Sequence, residues 1–239
     1  MGSGIYTALS GAIANENRVE LISHNLANIT TNGFQQFRMA LKSVQSSVPN
    51  DELTFAYPSE VVTDTTSGPI VATGNPLDVT LGKGVYMVVD DGRQEAFVRG
   101  GTMVIRPDGK LVTNEGLLVK GSKEEFVKIP SDVKSVEIAV DGTVMADGEE
   151  VDKIRLVGFE NQDALVSKEG RKLRDPGGAK PIEVTSSQPV MAGYLEKANI
   201  NAVRGMTDLI AAHRNYDATM KVVETFAAVE KRTARDMGK

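Results

Sequence analysis

Residues 203–229, VRGMTDLIAAHRNYDATMKVVETFAAV, decide the architecture. Met206, Leu209, His213, Tyr216, Met220, Val223 and Ala227 recur at alternating spacings of three and four. That rhythm averages roughly 3.5 residues, the period of a coiled-coil seam. Val203, Ile210, Val222, Phe226 and Val229 add apolar positions beside it. The pattern predicts a helix over about 200–235, roughly 50 Å long at about 1.5 Å per residue. It is apolar on more than one face, so a single partner would leave part of it in contact with water.

The opposite end of the chain has a similar pattern. Residues 5 to about 44 read as helix: Ile5, Leu9, Ala12, Val19 and Leu26 form a stripe, widened by Ala8, Ile13 and Ile22. Thr30-Thr31-Asn32-Gly33 interrupts it, because Asn and Gly accept the left-handed backbone that ends a helix. A second apolar pattern follows, with Phe34, Phe37, Leu41 and Val44.

Between the two ends the signal changes. Residues 46–60 are rich in Ser, Pro, Asn and Thr and read as an extended connection. Short apolar runs then alternate with turn signals. Val85–Val89 precedes Asp90-Asp91-Gly92, and Phe97–Ile105 precedes Arg106-Pro107-Asp108-Gly109. Leu111–Thr113, Leu117–Val119, Val136–Val140, Thr143–Met145 and Ile154–Phe159 continue the series. Turns this dense predict an antiparallel sheet or small barrel. Residues 170–181, rich in Gly, Pro and charge, read as a loop.

The expected fold is therefore α+β. N- and C-terminal helices form a coiled-coil-like core, with an antiparallel β-rich middle inserted between them. The expected segments are 1–45 (helical), 46–190 (β-rich) and 191–239 (the C-terminal helix, pairing with the N-terminal one). Exposed apolar stripes on paired helices mark interfaces, and further copies would supply the remaining contacts.

Composition narrows the function. The chain has 239 residues, no Cys, no Trp, two His and a formal net charge of -5. Without Cys there is no disulfide, thiolate catalysis or Cys-based metal site. A mildly acidic surface argues against a phosphate-backbone binder. No stretch reaches the length of a membrane span and no Sec-type signal is visible at the start. His24 and His213 are the two histidines of the chain and could at most start a metal site, so no metal is expected. Gly82-Lys83-Gly84 lacks the spacing of a phosphate loop and reads as a turn. Asp90-Asp91-Gly92 and Asp108-Gly109 lack a calcium-ligand ladder. No nucleophile elbow or triad is readable, so neither an enzyme nor a cofactor is expected. A secreted β-rich binding protein is the remaining alternative, disfavoured by the 5% aromatic content.

Four motifs, in order, resemble flagellar basal-body rod and hook proteins. Asn25-Leu26-Ala27-Asn28-Ile29-Thr30-Thr31-Asn32-Gly33-Phe34 is similar to the family's N-terminal signature. Asn75-Pro76-Leu77-Asp78-Val79 is similar to the element that opens its β region. Phe97-Val98-Arg99-Gly100-Gly101 with Gly109–Thr113 and Gly116 resembles the next part. Ala198-Asn199-Ile200-Asn201, then Met206, Ile210, Arg214, Tyr216 and Lys221, resembles the closing helix. Ile5–Ala12, Met39–Val44 and Ile154–Phe159 look like the FlgF-type proximal-rod branch, with the FlgG-type distal rod the close alternative.

The resemblance implies a structural subunit of the basal-body rod, spanning the periplasm. It implies export by the flagellar type III apparatus without a cleaved signal, and other rod proteins as partners. It also implies an assembly interface on the terminal helices. The residues expected there are Ile5, Leu9, Asn25, Leu26, Asn28, Gly33, Phe34, Met206, Leu209, Ile210, His213, Tyr216, Met220, Val223 and Phe226.

Overall fold

The computed structural model describes residues 2–45, 54–123, 125–160, 165–169, 172–174, 181–184 and 189–237. They form two compact units. One combines residues 1–27, 37–62 and 201–239; the other combines 28–36 and 63–200.

The first unit is built on two helices, α1 (Gly2–Ala27) and α2 (Ala202–Met237). They run antiparallel. A Cβ on Gly205 would lie 3.5 Å from the Leu26 side chain, and one on Gly11 would lie 3.5 Å from that of Thr219. The Asn15 amide donates to the Thr219 hydroxyl at 3.1 Å, near the same level. Small residues let the two backbones approach. Ala12 and Ala212 are buried, and Gly11 and Gly205 sit on the inner faces. Asn201 starts α2 as an N-cap: its side-chain oxygen accepts the Arg204 N–H at 3.0 Å.

The strands Phe37–Gln45 and Thr54–Thr63 pair with each other. This corrects the helical reading of residues 34–44. Phe34, Phe37, Leu41 and Val44 fall at spacings of three and four by coincidence, and the backbone is extended from Phe37 onward. The connection expected over 46–60 is a strand from Thr54; residues 46–53 lie outside the described residues.

The second unit is an antiparallel β structure. Val85–Asp90 is its central strand, pairing with Glu95–Val98, Leu118–Val119 and Leu156–Gly158 at different points along its length. Gly100–Ile105 joins Leu111–Thr113 to Asp78–Leu81, and Val190–Ala192 closes the far side. Val136–Ile138, Thr143–Ala146 and Glu149–Lys153 form a separate meander. Ile70–Ala72 pairs with Tyr194–Glu196. Tight turns carry the reversals. The Asp91 carboxylate accepts the N–H groups of Arg93 and Gln94, both at 3.0 Å. Asp141 accepts the Thr143 N–H at 3.1 Å.

Apolar side chains on both faces of Val85–Asp90 explain its central place. Val85, Met87 and Val89 enter a core with Leu111, Val119, Ile129 and Ile154. Tyr86 and Val88 enter a second core with Phe97, Phe159 and Leu173. The loop expected over 170–181 contains a strand, Lys172–Arg174, with Leu173 opposite Phe97. Residues 170, 171 and 175–180 lie outside the described residues.

Candidate assembly interface

The N-terminal motif contributes to both units. In the helical unit Asn25, near the end of α1, is buried. Its amide nitrogen donates to the Phe37 carbonyl at 2.8 Å, and its oxygen accepts the Phe37 N–H at 2.8 Å. The side chain thus pairs with the incoming strand as a neighbouring backbone would. His24 stacks on Phe37 with ring centroids 5.2 Å apart. Leu26 is half-buried, facing Gly205.

The rest of the motif belongs to the β unit, where it meets the C-terminal motif. Asn28 starts the reversal: its carbonyl accepts the Thr31 N–H at 3.0 Å, and its side-chain oxygen the Thr31 hydroxyl at 3.3 Å. Gly33 has a φ of 72°, which an L side chain rarely adopts. Its N–H donates to the Glu196 carbonyl at 2.7 Å. Phe34 is fully buried. Asn199 then ties three segments together. Its side-chain oxygen accepts the Gln36 N–H at 2.7 Å, while its amide nitrogen donates to the carbonyls of Asp64 and Thr66, both at 2.9 Å.

A buried ion pair lies beside this junction. The Arg99 guanidinium donates to one Glu196 carboxylate oxygen, from Nε at 3.1 Å and from a terminal nitrogen at 2.8 Å. The other Glu196 oxygen accepts the Gly68 N–H at 2.8 Å. Arg99 also donates to the Ser67 hydroxyl at 3.0 Å and sits over the Tyr86 ring, 5.8 Å from its centroid. Burial pushes the Tyr86 phenol above its ordinary range, with the Arg99 charge opposing that shift. Asn75 organises the turn into Asp78–Leu81: it accepts the Leu77 N–H at 3.2 Å and donates to the Asp78 carboxylate at 3.1 Å.

The expected interface residues divide by environment. Leu209, Tyr216, Met220 and Val223 are half-buried on α2. Met206, Ile210, His213 and Phe226 are exposed, as is Leu9 on α1. The face of α2 turned inward therefore runs Gly205, Leu209, Ala212, Tyr216, Thr219/Met220 and Val223, with Met206 and His213 turned away. Ile5 lies on α1 with its side chain outside the described residues. Asn25 makes its hydrogen bonds to Phe37 inside the helical unit, and Asn28 and Gly33 make theirs inside the β unit, where Phe34 is buried. Arg99, Glu196 and Asn199 were not among the expected site residues. Among the described residues no cluster of three or more His, Cys, Asp or Glu could hold a metal, and no helix is long and apolar enough to cross a membrane.

Three family descriptions match the chain in order. Flagella basal body rod protein covers residues 5–35, the FlgE/F/G D1 domain covers 80–146, and the FlgEFG protein C-terminal covers 191–235. FlgF of Salmonella typhimurium is 32% identical, aligned over 93% of this chain and 93% of its own length. The chain belongs to the flagellar basal-body rod protein family. FlgF of Escherichia coli is also 32% identical, over 94% of each chain. FlgG of Bacillus subtilis is 27% identical, over 92% of this chain and 94% of its own. Rod proteins of this family are structural subunits of the flagellar basal body, not enzymes. The first and last matches fall on the two junction motifs and on most of α1 and α2.

Proposed function

We propose that this rod protein polymerises through its terminal helices, which form a coiled-coil-like core of the rod, and that it occupies the proximal rod. The 32% identity to two FlgF proteins favours the proximal position, and the Bacillus FlgG at 27% keeps a distal position as the alternative. In this reading residues 1–45 and 191–239 serve assembly, and 46–190 form the outer β-rich part. Other rod subunits are the partners. The flagellar type III apparatus exports the chain without cleaving it, and the assembled rod carries torque from motor to hook.

The observation that carries this reading is the apolar outer surface of α2, where Val203, Met206, Ile210, Val222, Phe226 and Val229 are exposed in the isolated chain. Ile210 is the point to test. It lies on that outer surface, 56% exposed. A Lys at position 210 would bring an ammonium into the apolar, water-excluding contact that this reading places there. Cells carrying Ile210→Lys as the only copy should accumulate folded subunit and build no hook beyond the proximal rod. Electron microscopy of their basal bodies reads this directly. A normal hook and filament would refute the placement of the interface, and density for this chain in a distal layer would select the alternative position.

A further inference from the structure

The exposed apolar side chains of α2 do not form one continuous stripe. At about 100° per residue, Val203, Met206 and Ile210 lie on one side of the inward face, and Val222, Phe226 and Val229 on the other, each roughly 110° from it. The first three are 73%, 55% and 56% exposed, and the second three 47%, 40% and 46%. Each flank changes character midway. The first becomes charged at Asp217, Lys221 and Glu224; the second is polar before its apolar part, at Arg204, Asp208 and Asn215. All six of these polar residues are exposed.

We infer that the flanks are the two halves of one lateral contact between copies of this chain, staggered along the rod axis by about twenty residues of helix, or about 30 Å. The inference rests on the assembly reading above. Each triplet offers on the order of 200–300 Å², well below the roughly 800 Å² per partner of a stable two-body interface. A copy is therefore held by several such contacts and not by one. Copies arranged around a common axis present opposite flanks of α2 to each other in parallel. Without stagger, Val203, Met206 and Ile210 would face Arg204 and Asp208 of the neighbour. Shifted by twenty residues, they face Val222, Phe226 and Val229, and the charged halves stay outside the contact. A contact of unlike flanks with an axial shift does not close into a dimer or flat ring; it continues as a helix.

The absence of native cysteine makes the register directly readable. Met206→Cys with Phe226→Cys tests the stagger. Met206→Cys with Asp208→Cys tests a flat arrangement, because Asp208 shares the face of Phe226. Each pair, and each single variant, replaces the native copy in cells. Basal bodies are oxidised, isolated and run on a non-reducing gel. The staggered pair should give disulfide-linked multimers, and the flat pair and the single variants only monomer. Linkage in the flat pair, or dimers from Met206→Cys alone, would overturn the stagger while leaving helix-mediated assembly intact. Rods that contain every variant and show no linkage would overturn it as well. If the cysteine variants build no rods, Met206→Lys and Phe226→Glu provide the second reading: each alone should block assembly, and together they should restore it. Failure of the double variant to restore rods overturns the pairing.

Discussion

Arg99 and Glu196, 97 residues apart in sequence, meet at 2.8 Å as a buried ion pair, 2% and 4% exposed. Removing one partner leaves the other charge buried. Glu196→Ala should lower stability by about 3–5 kcal/mol. Replacing both, with Arg99→Met and Glu196→Leu, should lower it by less than the sum of the two single losses, because no uncompensated charge remains. Urea denaturation of Arg99→Met, Glu196→Leu and the double variant decides this; strictly additive losses would show that the pair is not coupled.

The Asn25 clamp on Phe37 makes a narrower prediction. Asn25→Ala deletes two hydrogen bonds and should cost about 1–3 kcal/mol. Asn25→Asp keeps the acceptor for the Phe37 N–H but sets a carboxylate oxygen against the Phe37 carbonyl, and should be no milder. Amide exchange at Phe37 should accelerate in both variants. Protection unchanged from the parent would mean that the clamp does not hold the strand.

Two glycines should respond in opposite directions. At Gly205 a Cβ would make an ordinary contact with Leu26, at 3.5 Å, so Gly205→Ala gains helix propensity, about 0.5–1 kcal/mol. At Gly68 a Cβ would overlap the Lys197 carbonyl oxygen, a backbone atom that cannot swing aside. Gly68→Ala should destabilise by about 1–3 kcal/mol or more. Thermal unfolding of both variants, compared with the parent, gives the signs.

Alkaline titration examines Tyr86. Its pKa is raised, first by burial, so the neutral phenol is the form that the fold prefers. The resulting stabilisation is complete below the ordinary tyrosine value near 10 and is lost as pH rises above it toward the folded-state pKa. Tyr86 should therefore ionise above the ordinary tyrosine range in the folded protein. Tyr86→Phe should remove that late step, and its persistence would assign it elsewhere.

Much of the β unit was legible because its strands are short and its turns announce themselves. Asp90-Asp91-Gly92 and Asp108-Gly109 place reversals where the structure has them. Phe37–Gln45 was not, since its aromatic and aliphatic spacing imitates a helix, and only pairing with Thr54–Thr63 decides the matter. The inward face of α2 was half legible. Leu209, Tyr216, Met220 and Val223 follow the periodic signal, but the most buried position on that face is Ala212, too small for such a signal to single out. A search for large apolar residues selects Met206 and His213 instead. Arg99 with Glu196, and Asn199 with Gln36, join positions that no local pattern connects, and the recurring motifs were the one trace of them in the sequence.

The pairing of α1 with α2 joins the first and last helices of the chain. A copy that stops early has no α2, so Ala12 and Asn15 lose the surface they pack against. The helix pair therefore depends on a chain that extends through α2: without α2, α1 would be left open to proteases. A polymer that admits subunits by their helices would be screened against broken members before each addition.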